Sequence, residues 1–380
     1  MMNLKSFWLD KNNRAVATVF FAMSAAFGAW ITRLPEIQQS LSLNDAQLGT
    51  ALFFMPLGAV TLLPFYSKII HSLSERIATL FALFVLLTGL SLPTLSPSYE
   101  WLMASLYLVG LSIGLTDVAM NAVAAEIEKQ YNRNIMSTCH GFFSVGAMAG
   151  AFLSILFIRL EINLTQQILG MGIILLAWVL TTASFLVNSV NTVKPNGFRM
   201  PPIQIMSLAT IGVFIMMTEG AITDWSTIYI GRDLLVSQEW AGLGFAGFSM
   251  FMAVGRFTGD TLHERYSGAL LIKAGIVVGI IGLTLTQIQL GFLAMIGFSL
   301  SGLGLSIVVP LLFSNAAKVK GVSSAKGLAA VASAGYIGWL VGPVTIGYIG
   351  EAFGLQNAFL LLIILCTISL LLVIRQRDLS

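Results

Sequence analysis

Three carboxylates sit where carboxylates are costly: Asp117, Glu219 and Asp224 each fall inside an apolar run long enough to cross a bilayer. A carboxyl group taken out of water is stabilised in its neutral form and can exchange a proton as its surroundings change. All three are therefore candidate proton carriers; for each, a structural hydrogen bond to a neighbouring helix is the competing reading. Asp117 and Asn121 are four residues apart and share one helix face, as do Glu219 and Thr223. Asp224 is five residues beyond Glu219, about 140° further round a helix. One straight helix cannot aim both at one cavity, so Gly220 is the expected break between them.

Around these acids lie groups suited to a hydroxyl-rich solute. Sugars are held by flat ring faces together with polar groups, and Asn121, His140, Trp30, Trp225, Phe142 and Tyr336 are the candidate substrate-binding residues. Asn121 and Trp225 lead because they adjoin the acids. Helix packing or interfacial anchoring competes for every aromatic, and a satisfied structural role competes for His140.

The elements that must position these side chains are membrane helices. The chain has 380 residues, 57% hydrophobic and only 10% charged, against roughly 25% charged in soluble domains. So much apolar surface must face lipid. Twelve candidate spans of about 20 residues fall near 14–35, 45–68, 76–96, 100–125, 134–158, 165–189, 203–230, 238–262, 267–287, 290–316, 325–350 and 354–375. The polar stretch 191–202 divides an N-terminal bundle, 1–190, from a C-terminal bundle, 203–380. With the N-terminus inside, seventeen of the twenty Lys and Arg fall on the inner side, leaving Arg33, Arg159 and Arg232 outside. That asymmetry places both termini in the cytoplasm and the chain in the inner membrane. The first apolar run has no cleavage site and reads as a retained helix.

The halves echo each other. Trp30 aligns with Trp225, Gly146 with Gly338 and Gly150 with Gly342. Such repetition fits two related bundles with a substrate site between them.

Several classes are set aside. A net charge of +3 offers no nucleic-acid surface. No phosphate-binding loop marks an ATP-driven pump, and the three histidines have no metal-ligand spacing. Cys139 and Cys366 read as separate buried thiols. No cofactor or metal is expected, the partners are a small polar solute, protons and lipid, and the protein is expected to be a monomer and not an enzyme.

The segment GRFTGDTLHERYS, Gly255 to Ser267, resembles the cytoplasmic loop motif of the major facilitator superfamily. The residues from Gly114 to Gly150, with Thr218 to Ser226, resemble its fucose-permease-like and rhizopine-type sugar permease branch. The likeness covers essentially the whole chain. It implies an all-α membrane protein of twelve transmembrane helices in two pseudo-symmetric six-helix bundles, the major facilitator fold. It also implies that Gly255, Arg256, Asp260 and Arg265 latch the inner face. Helix 5 has Gly150-Ala151 where drug exporters of the superfamily carry Gly-Pro. The reading is proton symport of a sugar or sugar derivative by alternating access, with a proton-coupled exporter of sugars or drugs and a non-transporting receptor on the same fold as alternatives. The resemblance further suggests an outer gate in which Arg33 pairs with Asp224; snorkelling, or a local pair with Glu36, competes for Arg33.

Overall fold

The computed structural model describes residues 4–131, 135–187, 203–319, 322 and 324–375. The helices are α1 (Leu4–Leu9), α2 (Lys11–Thr32), α3 (Leu34–Ser40), α4 (Asp45–Leu73), α5 (Glu75–Gly89), α6 (Tyr99–Tyr131), α7 (Met136–Arg159), α8 (Leu164–Thr182), α9 (Met206–Ile228), α10 (Gln238–Ala241), α11 (Leu243–Arg265), α12 (Gly268–Thr286), α13 (Gly291–Leu305), α14 (Val308–Ala316), α15 (Ser324–Phe353) and α16 (Leu355–Arg375). Among the described residues, eleven spans are long and apolar enough to cross a membrane. The remaining expected span is α11, of 23 residues. It carries Arg256, Asp260, Glu264 and Arg265 in its C-terminal half. The fold is thus the all-helical one expected, and the polar link 191–202 lies outside the described residues.

Local chemistry sets the helix starts. The Asp10 carboxylate accepts from the amides of Asn12 (2.9 Å) and Asn13 (3.2 Å), opening α2. Asn163 caps α8 through the Thr165 amide, and Ser267 caps α12 through the Leu270 amide. α6 outruns its apolar segment by about one and a half turns, to Tyr131. There the Glu128 carboxylate accepts from the amides of Ile135 (2.6 Å) and Met136 (2.8 Å) and so holds the start of α7.

The chain divides into two compact units, residues 1–41 with 54–195 and residues 42–53 with 196–380. In the first, α2 and α7 pack backbone on backbone. A Cβ on Gly146 would strike the Phe21 carbonyl, and one on Gly150 the Ala25 carbonyl, so only glycine permits this approach. Ser154 Oγ also donates to the Ala29 carbonyl at 2.8 Å. In the second unit, Gly338 of α15 meets the Val213 carbonyl of α9 in the same way. Gly146 and Gly338, aligned in the sequence, therefore do one job twice, seating the fifth span on the first and the eleventh on the seventh; Gly342, aligned with Gly150, makes only ordinary contact with Met217. Tyr229, Phe298 and Phe359 form an aromatic cluster in the second unit, with centroids 5.1–6.5 Å apart.

Two expectations change here. The segment Gly255–Arg265, which resembles a cytoplasmic loop motif, lies wholly in the C-terminal half of α11, three residues beyond the expected span 238–262. Nothing between Gly255 and Arg265 breaks a helix, and the turn comes only at Tyr266, whose backbone is extended just before the Ser267 cap. Gly220 does not break α9, which runs unbroken from Met206 to Ile228; one glycine in an otherwise good helix weakens it without ending it.

Candidate functional site

In the first unit the polar centre is on α6. Asn121 Nδ2 donates to the Asp117 backbone carbonyl at 2.8 Å and to its carboxylate Oδ1 at 3.1 Å. Both side chains are half-buried. The four-residue spacing thus becomes a real contact, and Asn121 fixes the rotamer of the acid. Sequence reasoning missed Tyr66 of α4. This residue is 3% exposed, lies within electrostatic reach of Asp117, and donates its hydroxyl to the Ala59 carbonyl at 2.6 Å. The available signal was a phenol within the apolar run before Lys68, the type of group that needs a partner when buried.

His140 and Phe142 lie in the second turn of α7. His140 is half-buried and edge-on to Phe20 at 5.3 Å. Phe142 stacks on Phe7 at 5.6 Å and on Trp8 at 5.2 Å, so α1 folds over it.

In the second unit, Glu219 of α9 and Arg256 of α11 lie within electrostatic reach of each other. Each is thirteen residues from the start of its helix, about 20 Å along it. Arg256 is thus an intrahelical cation near an intrahelical carboxylate, although the motif it belongs to resembles a loop. Thr218 Oγ1 lies 3.7 Å from Cys366 Sγ beside this centre. Thr223 Oγ1 is turned to the Glu219 carbonyl at 2.9 Å, satisfying itself within the helix. Because α9 is unbroken, Asp224 points about 140° away from Glu219 and does not join this centre. Tyr336 is half-buried on α15. Gly255 packs against Ser306, Arg265 is exposed at the end of α11, and the side chain of Asp260 lies outside what the structure describes.

Trp30 and Trp225 are both fully buried. Among the described residues, the two indole nitrogens have no hydrogen-bond partner. In this conformation the pair forms matching core anchors of α2 and α9, with no side-chain surface open to a solute.

Arg33 takes the local pair with Glu36 that competed for it in the sequence. Its Nε and Nη2 donate to both Glu36 carboxylate oxygens at 2.5 and 2.8 Å, and its Nη1 to the Ile162 carbonyl (2.8 Å) and Gln167 Oε1 (2.7 Å). Gln167 in turn donates to Ser154. The local pair wins because Glu36 is one turn away and offers a two-pronged carboxylate to a planar guanidinium. All these partners belong to the first unit.

The description Major Facilitator Superfamily belongs to the family model that matches residues 15–322. The chain is 30% identical over 362 residues to membrane protein MosC of Rhizobium meliloti, covering 92% of this chain and 86% of that one. It is 29% identical over 344 residues to an uncharacterized MFS-type transporter of Yersinia pestis, covering 90% and 89%. A crystal structure of nucleoside transporter NupG matches with a TM-score of 0.67 at 14% identity, over 96% of this chain and 98% of that one. One of the transporter FucP, in an outward conformation, matches with a TM-score of 0.60 at 15% identity, over 95% and 97%.

Proposed function

The chain belongs to the major facilitator superfamily and is a multi-pass membrane transporter, and from that premise we propose that it moves a sugar or sugar derivative by proton symport with alternating access. One observation carries the reading: a carboxylate inside an apolar span of each unit, each with a polar neighbour, Asn121 at Asp117 and Arg256 at Glu219. Groups so costly to bury are functional by default.

The two centres divide the labour. Asp117, held by Asn121 and near Tyr66, is the proton carrier; when protonated it donates to a solute hydroxyl, and Asn121 offers both an acceptor and donors. Glu219 and Arg256 compensate each other's charge. Protonating Glu219 leaves Arg256 to attract the solute's oxygen atoms, so the second centre couples proton binding to solute binding. Asp224 is the third, separate carboxyl. The protein works as a monomer in the inner membrane with both termini cytoplasmic.

The test is a thermal-stability screen of the purified protein against sugars, inositols, sugar acids and lipophilic cations, followed by counterflow in proteoliposomes with every hit. Stabilisation and counterflow by hydroxyl-rich solutes support the reading. Movement of lipophilic cations alone would replace it with the exporter.

A further inference from the structure

Helix α4 is shared between the two units. Residues 42–53 belong to the second, and the helix continues from residue 54 in the first. Its first turns are secured with unusual care. Asn44 Oδ1 accepts from the Gln47 amide (2.8 Å) while Gln47 Oε1 accepts from the Asn44 amide (3.0 Å), a reciprocal cap. Asp45, 3% exposed, takes both terminal nitrogens of Arg232: Nη1 to Oδ1 at 2.5 Å and Nη2 to Oδ2 at 2.9 Å. Arg232 Nε donates to Asp233 at 2.6 Å, and the Asp45 amide donates to Glu351 Oε2 at 3.0 Å. Below this cluster the backbones touch. A Cβ on Gly49 would lie 2.5 Å from the Pro343 carbonyl oxygen, and one on Gly347 would lie 2.5 Å from that of Asp45.

Two further features make this attachment releasable. Arg232 sits in a five-residue π-helical turn, Tyr229–Asp233, that ends α9; such turns are wider and less stable than α-helix and recur at functional positions. Pro56 lies inside α4 just past the residue where the helix changes unit. Lacking an N–H, it deprives the Leu52 carbonyl of its helical partner, so α4 is weakest there. The Arg232 side chain is 45% exposed, so it returns to water when the pair opens. Asp45 then remains in the first turn of a helix, where a carboxylate is favoured.

We propose that Asp45 and Arg232 form a latch that holds residues 45–53 of α4 on α15 and the π-turn, and that α4 hinges at Leu52–Pro56 to release this segment during transport. The proposal rests on the alternating-access reading. It assigns the charged gate to Asp45 and Arg232, where the sequence had suggested Arg33 and Asp224.

The test is a distance measurement between spin labels at Ser42→Cys and Asn357→Cys, both exposed and both in the second unit, with the buried Cys139 and Cys366 changed to Ser. The parent should give one short distance. Arg232→Gln and Asp45→Asn should each add a longer component. The exchange Asp45→Arg/Arg232→Asp should restore the single short distance, and Pro56→Ala should shrink the long component of Arg232→Gln. An unchanged distance in both single variants overturns the latch. So does a long component that persists in a monodisperse, folded exchange variant; if the exchange does not fold, the two single variants decide. Counterflow on the same samples separates the readings: a long component without solute movement leaves the latch standing and removes the transport assignment.

Discussion

At the scale of single residues, Asp117 and Asn121 were legible in the sequence because helical spacing alone puts them on one face, and the structure closes that face into a 3.1 Å contact. Tyr66 was not legible, because it comes from another helix and only packing brings it near Asp117. Arg256 fell inside the expected span 238–262, but its nearness to Glu219 was not legible, because Glu219 comes from another helix. These placements fix two outcomes. Asp117→Asn should abolish uphill accumulation in proteoliposomes while counterflow stays within about twofold of the parent, since the amide keeps the shape and loses the proton. At the second centre both side chains are half-buried, and removing one partner leaves the other's charge uncompensated. Glu219→Gln and Arg256→Gln should each lower the unfolding midpoint, and the double variant should recover most of the loss. Additive losses in the double variant would show that the two residues do not compensate each other.

At the scale of elements, the helices followed from apolar run length, and among the described residues eleven of the twelve expected spans are long and apolar enough to cross a membrane. Their ends did not follow from hydropathy: α6 runs on to Tyr131, and Glu128 near its end holds the start of α7. The single glycine at Gly220 was expected to part Glu219 from Asp224 by a break; an intact α9 parts them by rotation. The paired glycines of the two halves were legible as a repeat, and their work is now visible as helix contact. Gly150→Val should drive α7 away from α2 and destabilise the protein by about 1–3 kcal/mol, read as a lower midpoint in a thermal scan. Gly170→Val on α8, where an added Cβ meets nothing within 4 Å, should change the midpoint far less.

At the scale of the molecule, composition and the Lys and Arg asymmetry were enough for a multi-span membrane protein, and the resemblance of Gly255–Ser267 to a superfamily motif added the transporter. They gave no sign that residues 42–53 would group with the second half, where Asp45 meets Arg232 and Glu351 and Gly49 meets the Pro343 carbonyl. The proposed orientation predicts that Gln130→Cys reacts with an impermeant maleimide only in inverted vesicles, and Ser237→Cys only in intact cells. Reaction of both from one side would contradict it. The central claim is that solute and proton move together through Asp117. Its most direct measurement is internal pH in proteoliposomes loaded with a pH-sensitive dye, after addition of the solute identified in the stability screen. The account predicts acidification of the lumen on solute addition with the parent protein and none with Asp117→Asn, although both variants exchange labelled solute. Solute entry with no pH change in the parent, or an undiminished pH change in Asp117→Asn, would contradict it.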